Sequence, residues 1–160
     1  MPPDAQRAPA PPPYLEAVAL IERAHRRLHD VIKDELARRG RGEVNTTQAM
    51  ILYGIGDREL SHAQLRAFGR AVSTNPSHNK NKLVALGMLE QRDAPDDGRA
   101  IRLRLTDKGR EIAAIVAALY ERQGRTVAQL GQIDAPAMDG LCKALARLER
   151  FWGDAVAYRL

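Results

Sequence analysis

From Tyr14 to Leu36 one set of positions recurs in steps of three and four: Tyr14, Val18, Ile21, His25, Leu28, Ile32 and Leu36. Leu15, Ala17, Leu20, Ala24 and Val31 widen this mostly apolar stripe. The period predicts a helix about 34 Å long at 1.5 Å per residue. Arg38-Arg39-Gly40-Arg41-Gly42 closes it, with basic residues at the negative helix end and glycine to turn the chain. Thr46 or Thr47 is read as the cap of a short second helix through Met50, Ile51 and Leu52 to about Ile55. Ser61 caps a third helix, and Gln64 three residues on completes a capping box. Leu65, Phe68, Gly69 and Val72 form its inward face. A fourth helix starts near Ser73-Thr74-Asn75, takes Pro76 into its first turn and ends at Gly87.

Beyond Gly87 the period changes from 3.6 to 2. Met88 to Arg92 and Ala100 to Leu105 read as strands, joined by the turn chemistry of Ala94-Pro95-Asp96-Asp97-Gly98. Ile101, Leu103 and Leu105 point one way, Arg102 and Arg104 the other. Thr106 caps a fifth helix carrying Ile112, Ile115, Val116, Leu119, Tyr120, Val127 and Leu130, and Gly131 stops it. Asp134 caps a sixth, on which Met138, Leu141, Leu145, Leu148 and Trp152 recur mostly in heptad fashion. The elements predict a mainly α chain with a small β-hairpin wing, an α+β class. Residues 1–13 hold six of the nine prolines and are read as a disordered tail. Residues 14–160 are read as a single domain.

Charge sharpens this pattern. The 160 residues carry a net +5. Between Arg58 and Arg110 lie 11 Lys or Arg and 6 Asp or Glu, which is the whole excess; the remaining residues balance at 14 of each sign. A segment holding all of it reads as an electrostatic footprint for an anionic partner. One cysteine leaves no intrachain disulfide and no cysteine-rich zinc site. No apolar run approaches a membrane span, so a cytoplasmic protein without membrane partners is expected.

Residues 60 to 105 run in the order helix, tight connection, helix, basic hairpin. This is the order of a winged helix-turn-helix. Its second helix must enter a major groove, so its outward face has to be small and polar. Inward positions are about 76, 79, 80, 83, 84 and 87. The outward set is Thr74, Asn75, Ser77, His78, Asn81, Lys82 and Ala85, of which all but Ala85 can contact phosphates or base edges. On the hairpin Arg92, Arg99, Arg102 and Arg104 face a minor groove and flanking phosphates, with Asp97 placed to orient Arg99.

These residues resemble the MarR family of bacterial transcription regulators. The resemblance rests on Leu83 four residues before Gly87, on Asp97-Gly98-Arg99, and on Leu105-Thr106-Asp107-Lys108-Gly109. The matched motifs cover about residues 60–109, and the flanking helices extend the likeness to about 14–152. Two positions depart from the family pattern: Gly98 replaces the middle arginine of the wing triplet, and His78 stands where relatives often carry arginine. The resemblance implies a winged lobe at about 45–105 and dimerisation helices at about 14–38 and 106–158. It implies a homodimeric regulator of double-stranded DNA, a repressor on a near-palindromic operator, released by a small aromatic or anionic effector. Tyr14, His25, Tyr53, Phe68 and Tyr120 are the expected effector pocket.

Other chemistries are weaker. His25 and His29 have a spacing that can share a metal but lack a third ligand, so interface packing is the reading and no metal or cofactor is expected. Cys142, beside the last apolar stripe, is read as structural, with a redox-responsive regulator as the alternative. Ser61-His62 and Ser77-His78 form no triad, Gly40-Arg41-Gly42 is no phosphate loop, and an enzyme is not expected. A winged-helix module that binds proteins in place of DNA is the remaining rival.

Overall fold

The computed structural model describes residues 12–72, 74–94 and 100–159, apart from the side chains at 70–72, 93, 94 and 100. Among the described residues the order is α1 (Pro13–Arg38), α2 (Thr46–Ile55), β1 (Leu60–Ser61), α3 (His62–Val72), α4 (Pro76–Ala85), β2 (Leu89–Ala94), β3 (Ala100–Leu105), α5 (Asp107–Leu130) and α6 (Ala135–Tyr158). The expected mainly α chain with a small β wing is therefore observed. The chain divides into two compact units, the first reaching to Val116 and the second running from Ala117. The expected tail at 1–13 lies almost wholly outside the described residues.

In the first unit, α1 opens on Pro13, whose fixed φ suits a first turn, and leaves through Gly40 at φ +66°. Only its last turns are packed. Ile32 and Leu36 are buried, and so is Glu35, which pairs with Arg38 at 3.3 Å and Arg39 at 3.2 Å. The stripe's other end stays open, with Tyr14, Leu15 and Leu20 about half exposed. The cap of α2 is Asn45, one residue before the expected threonines. Its Oδ1 accepts from Gln48 N at 2.8 Å, while Gln48 Oε1 accepts from Asn45 N at 3.1 Å. The capping box places Gln48 three residues on, and that spacing selects Asn45. Thr46 instead donates to the His29 carbonyl at 3.4 Å. The expected box at Ser61 and Gln64 is present, with bonds of 2.9 and 3.2 Å.

The sheet is antiparallel in the order β1-β3-β2. Leu60 lies opposite Leu103 and Ser61 opposite Arg102. The strand β1 was not expected, because two residues cannot display alternation. On the other edge of β3, Leu89 pairs with Leu105, Glu90 with Arg104 and Arg92 with Arg102. The sheet packs against α2, α3 and α4, and buried side chains come from these elements and from the start of α5. Ile51, Leu52, Ile55, Leu83, Met88, Leu103, Leu105, Ile112 and Val116 are fully buried there. Each such side chain contributes about 1.5–3 kcal/mol of transfer free energy.

One junction joins these elements. Gly87, at φ +69°, ends α4 and lets the chain turn into β2. Thr106 Oγ1 donates to the Gly87 carbonyl at 2.6 Å and accepts from Gly109 N at 3.2 Å, so it caps α5 as expected. Thr106 N donates to the Met88 carbonyl at 3.1 Å, and Lys108 Nζ to the Leu86 carbonyl at 3.1 Å. A Cβ on Gly109 would sit 2.2 Å from that Met88 oxygen, so glycine alone fits.

The second unit holds the end of α5 and all of α6. Asp134 caps α6 by accepting from Ala137 N at 2.8 Å. No residue of α6 is buried, and Leu141, Leu145, Phe151, Val156 and Tyr158 are exposed along it.

Gly109→Ala is expected to destabilise the protein by about 1–3 kcal/mol through overpacking against backbone, read as a lowered urea midpoint at unchanged slope. A second prediction concerns His29, whose Nε2 is buried without a hydrogen-bond partner. Its pKa is lowered from 6.5 by burial first and then by His25, whose ring lies 4.3 Å away. The unfolded chain takes up the proton at higher pH than the folded one. The contribution of His29 to stability is therefore full above pH 6.5 and is lost as pH drops below it, levelling once the folded histidine has titrated. Thermal melts of His29→Leu should show a shallower loss across that window.

Candidate nucleic-acid interface

Helix α4 is positioned by what it buries. Its cap is Asn75, whose Oδ1 accepts from His78 N at 3.3 Å, and Pro76 occupies the first helical position. Pro76 lies against α3 at Gly69, where a Cβ would come within 2.7 Å of the proline ring. Glycine at 69 thus allows the two helices to cross closely. Leu83 is fully buried and Asn79 nearly so. This anchoring turns the opposite face outward. Thr74, Asn75, Ser77, His78, Asn81 and Lys82, the six residues expected to meet DNA, are all exposed. Asn75 is also structural, since its side-chain oxygen is engaged as the helix cap.

The wing presents its basic face in cross-strand pairs. Arg104 lies opposite Glu90 and is ion-paired to it. Arg92 lies opposite Arg102, and Arg92 is exposed. The two arginines therefore stand side by side on this face of the ribbon. Arg102 and Arg104 are half-buried. Asp97 and Arg99 fall at 95–99, outside the described residues, as does the expected turn. Strand β2 packs on α4, so wing and helix belong to one lobe.

The expected effector residues lie on α1, α2, α3 and α5. Tyr14 is exposed in the first turn of α1, His25 is exposed farther along it, and Tyr53 is exposed on α2. The Phe68 ring lies over Gly54, where a Cβ would meet it at 1.8 Å. Tyr120 belongs to the second unit. A cleft of about 700 Å³ opens elsewhere, between the end of α1, the α1–α2 connection and α4, and none of the five lines it. Lys33, Arg41, Glu43, Gln48, His78 and Lys82 do. Arg41 bridges Glu43 at 2.9 Å and Glu111 at 2.8 Å, and the Glu111 bond foremost raises its pKa. The Glu43 carboxyl is lowered by its own backbone N–H first and by Arg41 after that. Gln48 escaped the sequence reading; its signal was the Asn45-to-Gln48 spacing. Cys142 is exposed on α6.

A small polar helix face beside a basic two-stranded ribbon is the arrangement that reads duplex grooves. Residues 44–109 match the family described as a winged helix DNA-binding domain. The chain is 31% identical over 145 residues to the exopolysaccharide II synthesis transcriptional activator ExpG of Rhizobium meliloti (strain 1021), covering 91% of this chain and 74% of that protein. The chain belongs to the MarR family of winged-helix transcription regulators. Its fold matches that of FabT from Streptococcus pneumoniae in complex with DNA, with a TM-score of 0.67 at 18% identity, over 88% of this chain and 98% of that one. It also matches Staphylococcus aureus MarR in complex with salicylate and kanamycin, with a TM-score of 0.68 at 16% identity, over 87% and 91% of the two chains. This MarR-family protein is a DNA-binding transcription regulator. Among its described residues, no helix is long and apolar enough to cross a membrane.

Arg92→Ala tests the paired arginines. Affinity should fall alike on operator and unrelated duplex, and the salt slope should drop by roughly one for each phosphate no longer neutralised. The free protein should melt close to the parent, because an exposed surface side chain contributes little to stability. Fluorescence titration across salt and a thermal melt check both.

Proposed function

We propose that this regulator acts as a cytoplasmic homodimer on a near-palindromic duplex. In each half-site Ser77, His78, Asn81 and Lys82 read or flank the major groove. Arg92, Arg102 and Arg104 lie on flanking phosphates, and Arg99, oriented by Asp97, enters the minor groove. The carrying observation is the outward face of α4: its polar residues are exposed while Asn79 and Leu83 anchor the helix from behind. The second copy is called for by apolar surface that one chain leaves open. Tyr14, Leu15 and Leu20 on α1 and Phe151, Val156 and Tyr158 on α6 are 48–82% exposed. Such surface is characteristic of an interface.

The repressor expectation rests on the family resemblance, while the rhizobial relative is described as an activator. The reading adopted is regulation by occupancy, with its sign set by where the operator lies relative to the promoter. The effector reading moves to the cleft beside α4. Lys33, His78 and Lys82 line it and suit a small anion, and the staphylococcal MarR structure contains salicylate. His78 and Lys82 also belong to the proposed DNA face, so an anion held there would compete with the duplex.

Footprinting on genomic DNA that includes the chain's own promoter tests this reading, with affinity then measured from 50 to 200 mM salt and with added salicylate. Two half-sites about one helical turn apart are expected. For about 6–10 phosphate contacts affinity should fall roughly 10³–10⁵-fold across that range. Salicylate should weaken binding. Absence of any shift at low salt would favour the protein-binding module instead.

A further inference from the structure

Two buried amides form a directional link between α2 and the recognition helix. Gln48 and Asn79 are 4% and 7% exposed, and they stand 31 residues apart in the chain. Gln48 Nε2 donates to Asn79 Oδ1 at 3.3 Å. At its other end Gln48 Oε1 accepts from Asn45 N at 3.1 Å. Asn79 Nδ2 donates to the Asn75 carbonyl at 3.2 Å, and Asn75 is the residue whose side chain caps α4. The chain of bonds has one polarity. Flipping the Gln48 amide would set its NH2 group against the Asn45 N–H, and flipping Asn79 would set two NH2 groups face to face.

An amide at a buried position is costly unless its partners are met. Leu83, the apolar anchor of α4, meets its neighbours through non-directional contact and tolerates small rotations and slips. The Gln48–Asn79 bond does not, whereas the bond to Asn75 turns with the helix and only fixes the Asn79 rotamer. One residue of helix rotation, about 100°, would replace Asn79 with His78 or Lys80 and leave Gln48 unmatched. The polar pair therefore sets which face α4 buries, and so which side chains it turns outward.

We propose that the Gln48–Asn79 pair is a positioning device that fixes the rotation of α4, and that it governs discrimination among sequences and leaves general affinity for duplex unchanged. Neither residue touches DNA in this account. The proposal rests on the reading that α4 is the groove-entering helix. General affinity comes from Lys and Arg on phosphates, which small rotations of α4 disturb little. Base contacts need placement to a fraction of an ångström.

The test compares the parent with Gln48→Met, which removes the donor from α2 at similar length, and with Gln48→Met/Asn79→Leu, which removes both amides. Should one variant fail to fold, the other carries the measurement. Each is titrated with the footprinted operator and with a scrambled duplex of equal length. A thermal melt confirms folding, and Ser77→Ala/Asn81→Ala serves as the control on the outward face. The expected result is a roughly tenfold lower ratio of operator to scrambled affinity, with scrambled affinity and salt slope as in the parent. A folded variant that keeps the parent ratio, while the control lowers it, overturns the positioning role and leaves the α4 reading intact. A control that leaves the ratio unchanged removes the α4 reading and this proposal with it.

Discussion

The fold depends on a single close approach, where the start of α5 meets the backbone between α4 and β2. Gly109 has no Cβ, so the Met88 carbonyl lies against it, 2.2 Å from where a Cβ would stand. Thr106 uses both its N–H and its hydroxyl on the same two residues, Met88 and Gly87. Four elements meet within these few residues: the end of α4, the start of β2, the end of β3 and the cap of α5. Displacing the junction would move α4 and the wing together. The Leu-Thr-x-x-Gly run that carries the family resemblance thus has a mechanical meaning. Threonine is needed for two bonds at once, and glycine for proximity.

From that junction the electrostatics follow. The excess charge of the chain lies between Arg58 and Arg110, and the fold sorts it. Arg104 is matched by Glu90, while Arg92 and Arg102 are set opposite each other. The lobe gathers basic side chains, and the long helices, in a segment of balanced charge, expose apolar surface in their place.

Much of this was legible in the sequence because the signals were local and periodic. The capping box at Ser61 and Gln64, the helix periods and the strand alternation each lie within a few residues, though the box at Asn45 and Gln48 was passed over for the threonines next to it. The outward face of α4 followed from the helical spacing of the inward positions 76, 79, 80, 83, 84 and 87, and its six polar positions are exposed as expected. What stayed hidden was long-range. β1 exists only because Leu60 and Ser61 find Leu103 and Arg102 some 40 residues away. Asn79 could be placed inward, but its partner Gln48 lies across the lobe and no spacing reveals it. The effector pocket was assembled from aromatic residues of plausible chemistry. A cavity is a property of packing, and the cleft beside α4 is lined mostly by the α1–α2 connection, with Lys33, His78 and Lys82 at its edges.

If α4 and the wing, and not the long helices, meet the duplex, binding must leave its mark on those elements first. Amide chemical-shift mapping of the isotope-labelled protein, with and without its footprinted operator, reads this residue by residue. The largest changes are expected at Thr74 to Lys82 and at Arg92, Arg102 and Arg104, with α6 little changed. Changes concentrated on α1 and α6, with α4 and the strands unmoved, would contradict it.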